Sequence, residues 1–87
     1  MSSRFIFDIE TTSQHTNLRY EVGKDDRLSL DVENGEIVLY ANKDALVSLA
    51  KILLQIGLGN YPAGFHLHVG QDFEPQNHAF RIQLIKE

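Results

Sequence analysis

Asn34-Gly35 separates two runs of alternating residues, "RLSLDVE" and "EIVLY", and constrains this chain more tightly than any other feature. A two-residue hairpin loop of type I′ needs positive φ at both central positions, which Asn and Gly tolerate. Such a loop sets the pairing of everything that flanks it: Glu33 faces Glu36, Val32 pairs with Ile37, and Leu30 pairs with Leu39. Apolar side chains then meet on one face, as expected for a sheet with a single buried side. The Glu33–Glu36 pair of like charges at the mouth is mildly unfavourable.

Other segments repeat the period of two. In "RFIFDIE" Phe5, Phe7 and Ile9 point one way and Arg4, Asp8 and Glu10 the other. After the polar "TTSQHTN", Leu18, Tyr20 and Val22 alternate with Arg19 and Glu21, and "GKDD" reads as a turn. Near the end, "FHLHV" and "AFRIQLIK" are two further strands, joined by the irregular "GQDFEPQNH". Between the hairpin and these strands lies "NKDALVSLAKILLQIGLGN", a helix. Asn42 suits its N-cap, Asp44 the positive end of its dipole, and Gly57 or Gly59 a left-handed stop, with Pro62 preventing resumption. The expected fold is α+β: an antiparallel or mixed sheet of about six strands in the order ββββαββ, with one helix packed on one face. Residues 1–87 are read as a single domain, with no linker or internal repeat.

The helix is more apolar than one sheet face requires. At about 100° per residue, Ala45, Leu46, Leu49, Ala50, Ile52, Leu53, Ile56 and Gly57 fill one broad arc. Val47, Leu54 and Leu58 widen it to about 240°, leaving Asp44, Ser48, Lys51 and Gln55 as a narrow polar stripe, with Lys43 inside the apolar arc at the first turn. If the sheet buries Ala45, Leu49, Ile52 and Ile56, then Val47, Leu54 and Leu58 need a second cover. Either the N-terminal segment or the loop after Val69 supplies it, or these residues form a homodimer or partner interface.

Composition excludes several classes. There is no cysteine, hence no disulfide framework, thiolate nucleophile or Cys-ligated zinc. Arg4, Asp8 and Glu10 break the apolar run that a signal peptide needs, and no stretch approaches the roughly 20 apolar residues of a membrane span. A soluble, cytoplasmic protein is expected. The formal charge of −4 comes entirely from residues 1–41, where eight acids face four bases. Nucleic-acid binding needs the opposite balance; an acidic surface suits a basic protein partner or simple solubility. Asp25, Asp26, Asp31, Glu33 and Glu36 are the acidic candidates for such a contact.

Candidate chemistry centres on His66 and His68, side by side on the polar face of "FHLHV". Two such imidazoles can begin a metal site, but zinc needs a third and usually a fourth ligand. Asp72, Glu74 and His78 follow in the next loop, and Asp8 or Arg81 could share the face, yet no spacing selects among them. The alternative places His66, His68 and Arg81 on a hydrated or partner-facing surface. Neither a phosphate-cradling glycine loop nor a nucleophile elbow is present. No enzyme activity and no cofactor are implied.

The block "ANKDALVSLAKILLQIGLGNYPAGFHLHV", followed by a loop and the terminal "FRIQLIK" strand, resembles the immunity proteins of bacterial polymorphic toxin systems. The likeness is to the small α+β family numbered thirty-two among the Imm-type proteins, which share a strand, a Leu/Ala-rich helix, a strand with alternating His and a final apolar strand. It covers roughly residues 36–86; residues 1–35 carry no match. The resemblance implies a non-enzymatic protein that binds a cognate toxin in the cytoplasm and neutralises it stoichiometrically. A nuclease toxin, with its basic groove, would suit the acidic side chains. Two other readings stand beside this one: a small metal-binding or hydrolytic protein built on His66 and His68, and a homodimeric subunit.

Overall fold

The computed structural model describes residues 1–70 and 80–86. Among these residues four strands and one helix follow one another as β1 (Leu28–Glu33), β2 (Glu36–Ala41), α1 (Lys43–Leu58), β3 (His66–Val69) and β4 (Phe80–Gln83). The class is α+β as expected, but the strands form two separate two-stranded antiparallel sheets, β1-β2 and β3-β4, in place of one six-stranded sheet. The two N-terminal runs read as strands do not join either ladder.

The β1–β2 hairpin has the expected register: Val32 opposite Ile37, Leu30 opposite Leu39, Glu33 opposite Glu36. Asn34 and Gly35 take φ of 52° and 77°, the positive pair that a type I′ turn demands. Asn42 caps α1 through its side chain, which accepts from the Ala45 N–H at 2.9 Å. The helix stops differently from expectation. Gly57 lies inside it, and Gly59 at the C-cap is extended (φ −78°, ψ 177°), its N–H donating to the Gln55 carbonyl. Glycine is needed at 59 because of crowding: an added Cβ would stand 2.6 Å from both Gln55 O and Tyr61 Cε2.

One stripe of α1 is buried, and it is the predicted one: Ala45, Leu49, Ile52 and Ile56. These residues join Leu28 of β1 and Val69 of β3 in a single core cluster. Leu18, Tyr20, Val22, Phe65, Leu67, Phe80 and Ile82 pack around it. The side chains of Leu18, Tyr20 and Val22 thus alternate toward the core as a strand's would. Their backbone makes no ladder; the Arg19 carbonyl instead accepts from Gln55 Nε2 of the helix at 3.2 Å. In "RFIFDIE" Phe7 and Ile9 are half-buried, while Phe5 and Ile6 are exposed and Phe5 stacks on Phe7. Alternation specifies which side chains turn inward, whereas sheet membership needs a neighbouring edge at the right place, a non-local condition that a period of two does not encode.

Candidate protein-binding surface

The hairpin carries an apolar face that outruns the core. Because side chains alternate, Leu28, Leu30 and Val32 of β1 share a face with Ile37, Leu39 and Ala41 of β2. Leu28 at the base is fully buried (1 % exposed), Leu30 and Ala41 are half-buried, and then the face emerges: Leu39 is 39 %, Val32 61 % and Ile37 70 % exposed. The expected burial of the Leu30–Leu39 and Val32–Ile37 pairs is therefore corrected. Only the base of the hairpin joins the core with α1: Leu28 belongs to the buried cluster and Ala41 packs against it. At about 3.3 Å per residue, the outer two-thirds of each six-residue strand is about 13 Å of overhang.

The opposite hairpin face bears the acids. Glu33 and Glu36 are exposed at the tip, Asp31 is half-buried, and no basic residue lies between Leu28 and Ala41. Tyr40 lies along this face, and its hydroxyl donates to Glu33 Oε2 at 2.5 Å. That bond to a carboxylate, with lesser contributions from desolvation and nearby negative charge, raises the phenol above its usual range. Tyr40 was not among the residues singled out from sequence; its place opposite Ser29, one step along the face from Asp31, follows from the same register.

The other acidic candidates lie apart from the tip. Asp25 is exposed in the turn before β1, and its carbonyl accepts from Asn42 Nδ2. Asp26 is buried at 6 % exposure, its carboxylate accepting from Ser48 Oγ at 2.6 Å and from the Gly23 N–H at 2.8 Å. Those bonds tie the turn to α1 and turn the charge away from solvent, so Asp26 belongs to the scaffold beneath the hairpin.

His66, His68 and Arg81 do share a surface. In β3-β4, His66 pairs with Gln83 and His68 with Arg81, all four exposed on one face, while Leu67–Ile82 and Val69–Phe80 turn inward. The imidazoles meet edge to face at 5.4 Å between centroids, and His66 Nδ1 lies 3.3 Å from the Gly64 carbonyl. Arg81 stands directly opposite His68 in the ladder, so the same face carries a permanent positive charge beside the imidazoles. Among the described residues no group of three His, Asp or Glu side chains converges on a metal-sized site; Asp72, Glu74 and His78 lie outside the described residues. The acidic tip and the His–Arg face thus occupy different sheets.

On α1, Val47 and Leu58 are 51 % and 53 % exposed, as an interface reading requires, whereas Leu54 is half-buried. The concavity lined by Leu18, Arg19, Tyr20 and Glu21 is wide open to solvent. Among the described residues no helix is long and apolar enough to cross a membrane. Comparison with known protein families, with characterised proteins and with solved structures finds no match.

Proposed function

We propose that this protein is a stoichiometric inhibitor of the immunity type, which neutralises a toxin by covering a basic surface with the β1–β2 hairpin. One observation carries the reading: Val32, Ile37 and Leu39 form an exposed apolar strip on one face of the hairpin, Glu33 and Glu36 stand at its tip on the other face, and no base lies on the hairpin. A tip with apolar anchors on one face and acids on the other suits insertion into a groove with an apolar wall and a basic one. The acids steer such a partner on approach, and the anchors hold it. A nuclease, whose substrate groove must be cationic, has that surface. The protein acts in this reading by occupying the groove, with no chemistry of its own.

The test is co-expression with the toxin encoded by the neighbouring gene. Wild type is expected to restore growth. The double variant Val32→Ser, Ile37→Ser is expected to lose protection while remaining folded, because both side chains already face water. Full protection by that variant would remove the hairpin from the interface. Failure of the wild type to protect would remove the immunity role.

A further inference from the structure

The outer face of α1 has a pattern that the monomer does not use. Leu46, Ala50, Leu53 and Gly57 follow one another at spacings of four, three and four, which lines them up along one side of a helix. All four are exposed, Leu46 and Leu53 at 49 % each, on a flank of the helix about 100° round from the buried Ala45, Leu49, Ile52 and Ile56. On the far side of the row lies the half-buried Leu54, with the exposed Val47 and Leu58 beyond it. We propose that this face binds a second copy of the chain, the two α1 helices running antiparallel about a two-fold axis that passes between Ala50 and Leu53.

Three observations select this occupant. In an antiparallel pair centred there, Leu46 lies opposite the partner's Gly57 and Ala50 opposite the partner's Leu53. Each large side chain meets a small one, so the row is complementary to itself, as a two-fold interface requires. Crowding does not account for the glycine at 57: it lies in the helix, and among the described residues nothing stands within 4 Å of a Cβ added there. Helix interiors disfavour glycine relative to alanine, and the close approach of the partner's Leu46 supplies the missing reason. Lys43 completes the argument. It sits at the positive end of its own helix, where a cation is unfavourable, while the last turn of α1 holds no base. Antiparallel pairing brings each Lys43 beside the C-terminal carbonyls of the partner helix.

Area sets the strength. A 16-residue helix is about 24 Å long and about 10 Å across, a footprint well below the roughly 800 Å² per partner of a standard interface. The dimer is therefore a weak, concentration-dependent one. Its residues are all on α1 and none is a residue of the hairpin tip, so the variants that test it leave the hairpin unchanged.

Sedimentation velocity from low micromolar to near-millimolar concentration tests the proposal, with circular dichroism as the check on folding. Wild type is expected to pass from monomer to dimer. Gly57→Leu is expected to stay monomeric at every concentration while keeping or gaining helix, since the position is open and leucine is the better helix former. Lys43→Glu is expected to weaken the dimer while suiting its own helix terminus better. The combination Leu46→Ala, Gly57→Leu exchanges large for small across the same pair and is expected to regain dimerisation lost in Gly57→Leu. A wild type that stays monomeric throughout overturns the proposal. So does a dimer that Gly57→Leu leaves intact, or one that the exchange fails to rescue.

Discussion

Asn42 shows how much a single side chain settles in so small a protein. Its Oδ1 accepts from Ala45 N and from Arg27 N, its Nδ2 donates to the Asp25 carbonyl, and its backbone N–H donates to the Arg27 carbonyl. The N-cap of the helix is thus also the clamp on the strand that enters the hairpin. Asn42→Ala should lower stability by about 2 kcal/mol, the upper end for a lost cap, because other bonds go with it. Asn42→Ser, which can keep the cap but not the Asp25 bond, should fall between; urea denaturation of the three proteins checks the order. At the hairpin tip, the Tyr40–Glu33 bond makes a spectroscopic prediction. With its pKa raised, Tyr40 keeps its proton past the usual range, and the bond's contribution, present at neutral pH, fades as pH rises through that raised value. Glu33→Gln removes the carboxylate that causes the shift. Ultraviolet titration of the tyrosines should show one transition moving down toward the ordinary value of about 10. A titration curve unchanged by Glu33→Gln would mean the bond is absent in solution.

At the scale of the element, α1 holds two glycines with opposite requirements. Gly59 is crowded by the Gln55 carbonyl and the Tyr61 ring, and both contacts at 2.6 Å lie far inside what a Cβ allows. Gly57 faces open space. Gly59→Ala should destabilise by about 1–3 kcal/mol through forced backbone movement, whereas Gly57→Ala should stabilise the monomer by about 0.5–1 kcal/mol through helix propensity. Thermal melts at dilute concentration, where the chain is monomeric, should shift in opposite directions. Equal effects at the two sites would show that the helix end is packed differently. Both glycines read alike in the sequence as helix stops. The Gln55 carbonyl and the Tyr61 ring, both closing on Gly59, tell them apart.

At the scale of the molecule, the core among the described residues is narrow: one stripe of α1, Leu28, Val69 and a ring of half-buried side chains. Ile52, wholly buried, is at its centre. Ile52→Ala should cost about 2–5 kcal/mol, the range for a large-to-small change in a packed interior. Val47→Ser on the outer face should fall within about 0.5 kcal/mol of wild type in a dilute sample. If both variants lose stability equally, the side of the helix opposite the core is covered within one chain, and Val47 forms no interface.

What was legible in the sequence was what depends on neighbours in the chain. The Asn34-Gly35 turn and its register, the Asn42 cap, the buried stripe of α1 and the inward and outward sides of β3 and β4 all follow from local backbone preference and side-chain period. The acids of the hairpin and the His66–His68–Arg81 row could be placed on their faces for the same reason. Tertiary structure decided which of those faces are covered. Val32 and Ile37 read as core because they pair with each other, yet they project beyond the helix; Asp26 reads as surface charge, yet Ser48 and Gly23 draw it inside. Leu18, Tyr20 and Val22 have the alternation of a strand and reach the core without joining a sheet. Periodicity states which way a side chain points relative to its own backbone. Whether something stands there to meet it depends on how far each element extends and where the next one turns, and contacts between residues distant in the chain settle both.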